Sequence, residues 1–297
     1  MNSMQQHNLS QHGHAYRATH VKTQGIVKGT LTVLPDLPSH LQQGLFRTPG
    51  KSYDVAARYS NEPVWLAPDQ DPGPRGLAIR VFGAEGEREG DPDATTQDFF
   101  FNNAPSIELT DAATCLDVMR MRERYFDSPV KLGAATRLRT DALKQVAPFQ
   151  LPSKDLLGMS FYSQSAFRFG EWYGHFGVFP VGEEMRGREK GVGSGDGKDA
   201  LSRWLREYFE GKGAKYEIRV SLRNCHVVLM MIRGTSELEL MGDRSSLGRR
   251  QSTTLPRTAQ SSGMKPQPHI KRLRQWNFRR RTRWHRSAGC FGKIACG

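Results

Sequence analysis

Residues 51–60 read KSYDVAARYS. Tyr53, Val55, Ala57 and Tyr59 alternate with Asp54, Ala56, Arg58 and Ser60, the period of two that marks a strand with one face turned inward. The same period puts Arg58 and Ser60 together on the other face. In GLAIRVF (76–82), Leu77, Ile79 and Val81 alternate with Ala78, Arg80 and Phe82, and QDFFFNN (97–103) carries three aromatics up to a polar pair. Both read as strands. Phe99, Phe100 and Phe101 are taken as core, and His175 in GEWYGHFG (170–177) as structural.

Helical signals follow the strands. Asp111 is placed to cap a helix running to Tyr125, with Cys115, Val118, Met119, Arg122 and Tyr125 on one stripe. In KDALSRWLREYFEGKG (198–213), Leu201, Trp204, Leu205, Tyr208 and Phe209 fall at helical spacing and Gly211 supplies the stop. Between these, GREKGVGSGDGK (187–198) reads as a flexible surface loop. Strands first and helices later make the expected class α+β.

The 297 residues suffice for a sizeable core. No stretch approaches the roughly 18 apolar residues of a membrane span, and the start, MNSMQQHNLSQHGH, lacks a secretory layout. A cytoplasmic protein without a membrane partner is expected. Residues 1–13, polar and with His7 and His12 among them, read as a disordered lead-in. The four cysteines, Cys115, Cys225, Cys290 and Cys296, make neither a disulfide framework nor a zinc pattern.

A net charge of +13 usually points to a polyanion partner. Here 14 of the 43 Lys and Arg, and none of the 30 Asp and Glu, lie from Arg244 onward, so the body is near neutral. After YEIRVSL (216–222) the hydrophobic patterning gives way to Ser, Arg, Gln and Trp. Selection for polyanion binding can remove acids from a tail, but losing both signals together favours translation in a wrong reading frame. The expected organisation is therefore a lead-in over 1–13, one domain over 14–230, and a basic, disordered tail over 231–297.

Four segments carry the functional reading: RATHVKTQG (17–25), DVAARYS (54–60), DPGPRGLAIRVFG (71–83) and FFFNNAP (99–105). In this order and spacing they resemble the Arg-x-x-His, Arg-Phe-Ser, Pro-Arg-Gly and Asn-Asn-x-Pro landmarks of the haem catalase family, over roughly Tyr16 to Leu222. The resemblance implies a catalase-like antiparallel β-barrel with flanking helices, haem as cofactor, and hydrogen peroxide or an organic peroxide as substrate. It also admits a homo-oligomer. His20 matches the group that takes a proton from the peroxide and returns it to the departing oxygen. Asn102 matches the uncharged donor that polarises the peroxide, and Ser60 the hydroxyl that orients the histidine. Arg17 and Arg58 match the arginines that pair with the haem propionates. Arg75 and Gly76 are taken as a structural bend entering a strand.

Two departures accompany the resemblance. The family holds the iron through a tyrosine in an Arg-x-x-x-Tyr helix, whereas the last tyrosine here is Tyr216 in the strand-like KYEIRV. Cys115 stands where large catalases carry a phenylalanine stacked on haem. The length better suits the small catalase-related proteins. Two rival readings follow: a haem-free, inactive catalase-like chain, and nucleic-acid binding through QWNFRRRTRWHR (275–286), where basic and aromatic side chains alternate. If the tail is a misread frame, the gene's other two frames beyond the Leu222 codon encode an Arg-x-x-x-Tyr segment. Reading those frames tests this, and finding no such segment in either leaves the enzyme reading much poorer.

Overall fold

Residues 2–14, 16–86, 93–170 and 172–222 are described in full in the computed structural model, and 225–239 by backbone alone. The expectations for residues 240–297, including the nucleic-acid segment 275–286, lie outside them. In chain order the elements are α1 (Asn2–His12), β1 (Thr23–Val33), β2 (Ser52–Asn61), β3 (Arg75–Phe82), β4 (Thr96–Asn102), α2 (Ala112–Arg124), α3 (Pro129–Arg137), α4 (Ala142–Val146), β5 (Phe161–Tyr162), β6 (Phe167–Phe169), β7 (Trp172–Pro180), α5 (Glu183–Arg186), α6 (Ala200–Phe209), β8 (Lys215–Leu222) and β9 (Cys225–Glu239). The strands form one curled antiparallel sheet in the order β5-β4-β3-β2-β1-β9-β8-β7-β6, and two-residue β5 pairs with β7 as well as β4.

Alternation decides which side of the sheet is core. Tyr53, Val55 and Tyr59 of β2, Leu77, Ile79 and Val81 of β3, and Phe101 of β4 are buried in one cluster with Phe161, Phe176 and Ile218. Helix α6 covers part of it. Its five stripe residues are all buried, each worth roughly 1.5–3 kcal/mol relative to exposure for the aliphatic and phenylalanine side chains. Asp111 caps α2 as expected, accepting a hydrogen bond from the Thr114 amide at 2.7 Å.

Three expectations are corrected. The lead-in is helix α1, not a disordered segment: Met4 is buried against Val64 and Phe126, Asn8 donates to the Val64 carbonyl, and His7 and Gln11 both reach Asp127. One buried methionine and long-range polar contacts order a segment whose own composition gives no amphipathic signal. Strand patterning also continues past Leu222 and past the expected boundary at 230. The backbone of β9 runs to Glu239 between β1 and β8, as its VVLMMI run (227–232) of β-formers allows. Finally, the 187–198 loop is pinned rather than free: the Asp155 amide donates to the Lys190 carbonyl and the Val192 amide to that of Ser153, both at 2.9 Å.

The segment before β3 is organised by one buried carboxylate. Asp69 is fully inaccessible. Its Oδ1 accepts from Lys22 Nζ at 2.8 Å, Gln24 Nε2 at 2.7 Å and Asn61 Nδ2 at 3.1 Å, while Oδ2 accepts from the Leu201 amide in the first turn of α6 at 2.9 Å. A β-bulge makes this reachable. Thr23 pairs with Ser60 and Gly25 with Tyr59, so Gln24 is the extra residue, and its amide turns into the network. Replacing Asp69 by Ala leaves the Asn61 and Leu201 amides without this acceptor, while Lys22 keeps Asp199 and Gln24 keeps Asn61; a loss of about 1–3 kcal/mol in denaturant unfolding is expected.

Candidate functional site

Strand register assembles the site on the face opposite the core. Ser60 of β2 pairs directly with Gly76 of β3, and Gly76 with Asn102 of β4. Directly paired residues project to the same side of a sheet, so the Ser60 hydroxyl and the Asn102 carboxamide stand on either side of Gly76. His20 arrives from the segment before β1 and lies over that glycine: a Cβ added at Gly76 would sit 2.5 Å from His20 Cε1 and 2.6 Å from Nδ1. The ring's Nδ1 is 3.1 Å from Ser60 Oγ. The expected His20, Ser60 and Asn102 therefore share one small area of the sheet.

The backbone of His20 is held as firmly as its ring. Its amide donates to the Glu62 carbonyl at 2.9 Å, and its carbonyl accepts from Arg58 Nη2 at 2.6 Å. Its φ is +52°, the left-handed region that histidine visits more readily than most residues but still at a cost. Asn102 is fixed too. Its Oδ1 accepts from the Ala104 amide at 3.0 Å, which orients the amide nitrogen away from its own turn. Asn103 serves the backbone instead, its Oδ1 accepting from the Arg75 amide at 2.8 Å.

Electrostatics keep the imidazole neutral. Removal from water lowers its pKa below the ordinary 6.5, against an upward pull from Glu62 and with further lowering from Arg58, Arg122 and Arg17. Arg58 is itself pushed down to about 10, first by burial and then by the neighbouring Arg17 charge. Its Nε and Nη2 donate to Thr23 Oγ1 at 3.0 and 2.7 Å. Among the described residues no carboxylate pairs with Arg58 or Arg17. Two guanidiniums close enough to repel one another, with no acid between them, form a place for an anion.

Beside these groups one row of the same face carries three apolar residues around Arg58. Ile26 pairs with Arg58, Arg58 with Ala78, and Ala78 with Phe100. Phe100 is 61% exposed. This corrects the expectation that all three phenylalanines are core. Phe101 is buried and Phe99 packs on the cluster, while the period of two turns Phe100 outward, onto the face that holds Asn102. The alternation was available from the sequence, but the run of three identical rings concealed it. Glu62 was also missed: it forms a 2.5 Å ion pair with Arg122 of α2 and leaves Oε2 buried without a partner. Cys115 is half-buried on α2, and His175 is exposed on β7.

No known family profile matches the chain, and no curated protein does. Solved structures do. A fungal catalase superposes with a TM-score of 0.56 at 16% identity, covering 77% of this chain and 52% of that one. Catalase A from Saccharomyces cerevisiae gives 0.58 at 14%, covering 77% and 54%, and a bacterial catalase gives 0.51 at 14%, covering 77% and 50%. The likeness shows a catalase-like fold, and the chain spans about half the length of these structures. Among the described residues, no helix is long and apolar enough to cross a membrane and no cluster of His, Cys, Asp and Glu could hold a metal ion.

Because folding lowers the His20 pKa, the folded chain binds fewer protons than the unfolded chain below about 6.5. The resulting stabilisation is full above that value, is lost as pH falls toward the folded pKa, and changes no further beneath it. Proton NMR titration of the His20 ring should give a midpoint below 6.5, and His20→Gln should remove this component of the acid-side stability loss.

Proposed function

We propose that this chain is a catalase-like domain that binds haem on the outer face of β2–β4 and promotes decomposition of hydrogen peroxide or peroxidation of an organic peroxide. The observation that carries the reading is the convergence of His20, Ser60 and Asn102 around Gly76. In this reading β5, paired on both sides, closes the curled sheet into a barrel.

The described residues fit one side of a porphyrin. Gly76 leaves room for the imidazole, Ile26, Ala78 and Phe100 offer apolar surface beside Arg58, and Arg58 and Arg17, with no acidic partner among the described residues, suit two propionates. Haem, when bound, supplies the redox-active iron for splitting a peroxide O–O bond. This reading requires the tautomer in which His20 Nδ1–H donates to Ser60, leaving Nε2 to take a proton from the peroxide and deliver it to the leaving oxygen. Burial keeps that nitrogen unprotonated near neutral pH. Asn102, its oxygen held by Ala104, turns its amide N–H toward the peroxide and favours charge on the outer oxygen.

The other side of the porphyrin favours a second reading, a haem-free catalase-like chain. No tyrosine follows Tyr216, and that hydroxyl is buried, donating to the Leu157 carbonyl and accepting from Tyr59. It is not available as an iron ligand. Titration of the full chain with haem separates the readings: the first requires a saturable haem-iron absorbance spectrum, and the second gives none. Under the first, Arg58→Ala weakens haem uptake by about 10- to 100-fold, the range for losing hydrogen bonds to a charged partner.

A further inference from the structure

Most glycines in strand interiors mark a bend or a close approach, because the residue weakens sheet pairing and packs nothing. Gly76 has no left-handed φ that would require glycine, and it pairs regularly with Ser60 and Asn102. Its backbone is one that alanine adopts freely. The reason for glycine is therefore steric. A Cβ would lie 2.5 Å from His20 Cε1, 2.6 Å from Nδ1 and 3.0 Å from Ser60 Oγ, the first two distances at which real Cβ atoms are essentially never found.

We propose that Gly76 is a positioning residue for His20: the space of its missing side chain is the seat of the imidazole. The functional weight of this rests on the reading of His20 as the proton carrier, while the contact itself does not. The His20 backbone cannot retreat easily from an intruding methyl. Its amide is tied to Glu62, its carbonyl to Arg58, and its left-handed φ fixes the direction in which the side chain leaves. A methyl at position 76 must act on the ring, lifting it from the sheet and away from Ser60. The ring then becomes more hydrated and loses the bond that selects its tautomer. Gly76 thus sets both the height of the imidazole above β3 and its distance from Asn102, without touching the peroxide.

A double-mutant cycle on the full chain without haem tests this. Gly76→Ala should lower the thermal midpoint by a few degrees in the native background and by clearly less in a His20→Ala background, where only the 3.0 Å contact with Ser60 Oγ remains. By NMR, the His20 titration midpoint should rise to about 6.5 in Gly76→Ala and stay lowered in Ser60→Ala, which removes the hydrogen bond but leaves the seat open. If Gly76→Ala fails to fold alone but folds with His20→Ala, the contact is supported in the same way. An equal midpoint loss in both backgrounds, failure of both to fold, no loss in either, or an unmoved His20 titration in Gly76→Ala overturns the proposal. None of these readouts depends on haem, so failure of the haem reading appears separately, as a missing absorbance spectrum in the unsubstituted chain.

Discussion

The buried carboxylate of Asp69 is the constraint on which the arrangement before β3 depends. A charge removed from water persists only where donors replace its hydration, and this one gathers them from β1, from the end of β2 and from the first turn of α6. Its own backbone carbonyl also accepts from the buried Arg75 guanidinium and from Ser153. Arg75 opens β3, so the same residue that joins helix to sheet also fixes where β3 begins. The position of Gly76 in the sheet follows from that.

From there the site is a matter of register. Ser60, Gly76 and Asn102 lie in one row across three strands, and a slip of one residue in either pairing would turn a member of the row into the core. The inward neighbours make such a slip costly, since Tyr59, Leu77 and Phe101 are buried in the main cluster. The apolar core thus protects a polar constellation on the opposite face. His20 is then laid over the row by bonds that are not part of the strand pairing, to the Glu62 carbonyl and from the Arg58 side chain.

The outer face combines an exposed aromatic, a partly buried imidazole with a lowered pKa, and Arg58 and Arg17, which have no acidic partner among the described residues. Under the proposed reading, a flat, dianionic, apolar ligand would cover the ring and pair with the two guanidiniums. The likeness to solved catalases agrees with this picture at the level of fold. Tyr216, the last tyrosine of the chain, spends its hydroxyl on Tyr59 and on the Leu157 carbonyl, deep in the core.

The sequence by itself determined the strands of the site, the cap and stripe of the two main helices, and the shared face of Arg58 and Ser60, because period and capping are local properties that each segment carries alone. It also nominated His20 and Asn102, through their company with neighbouring motifs. Only the tertiary structure decided that α1 is ordered, that β9 inserts between β1 and β8, that Phe100 faces outward beside Arg58, and that Gly76 is the seat of an imidazole 56 positions earlier in the chain. These depend on contacts between segments far apart in sequence: a lone methionine finding a cleft, a strand finding a gap in a ladder, a ring filling the space a side chain would take. No window of residues contains both partners, so no local pattern records them.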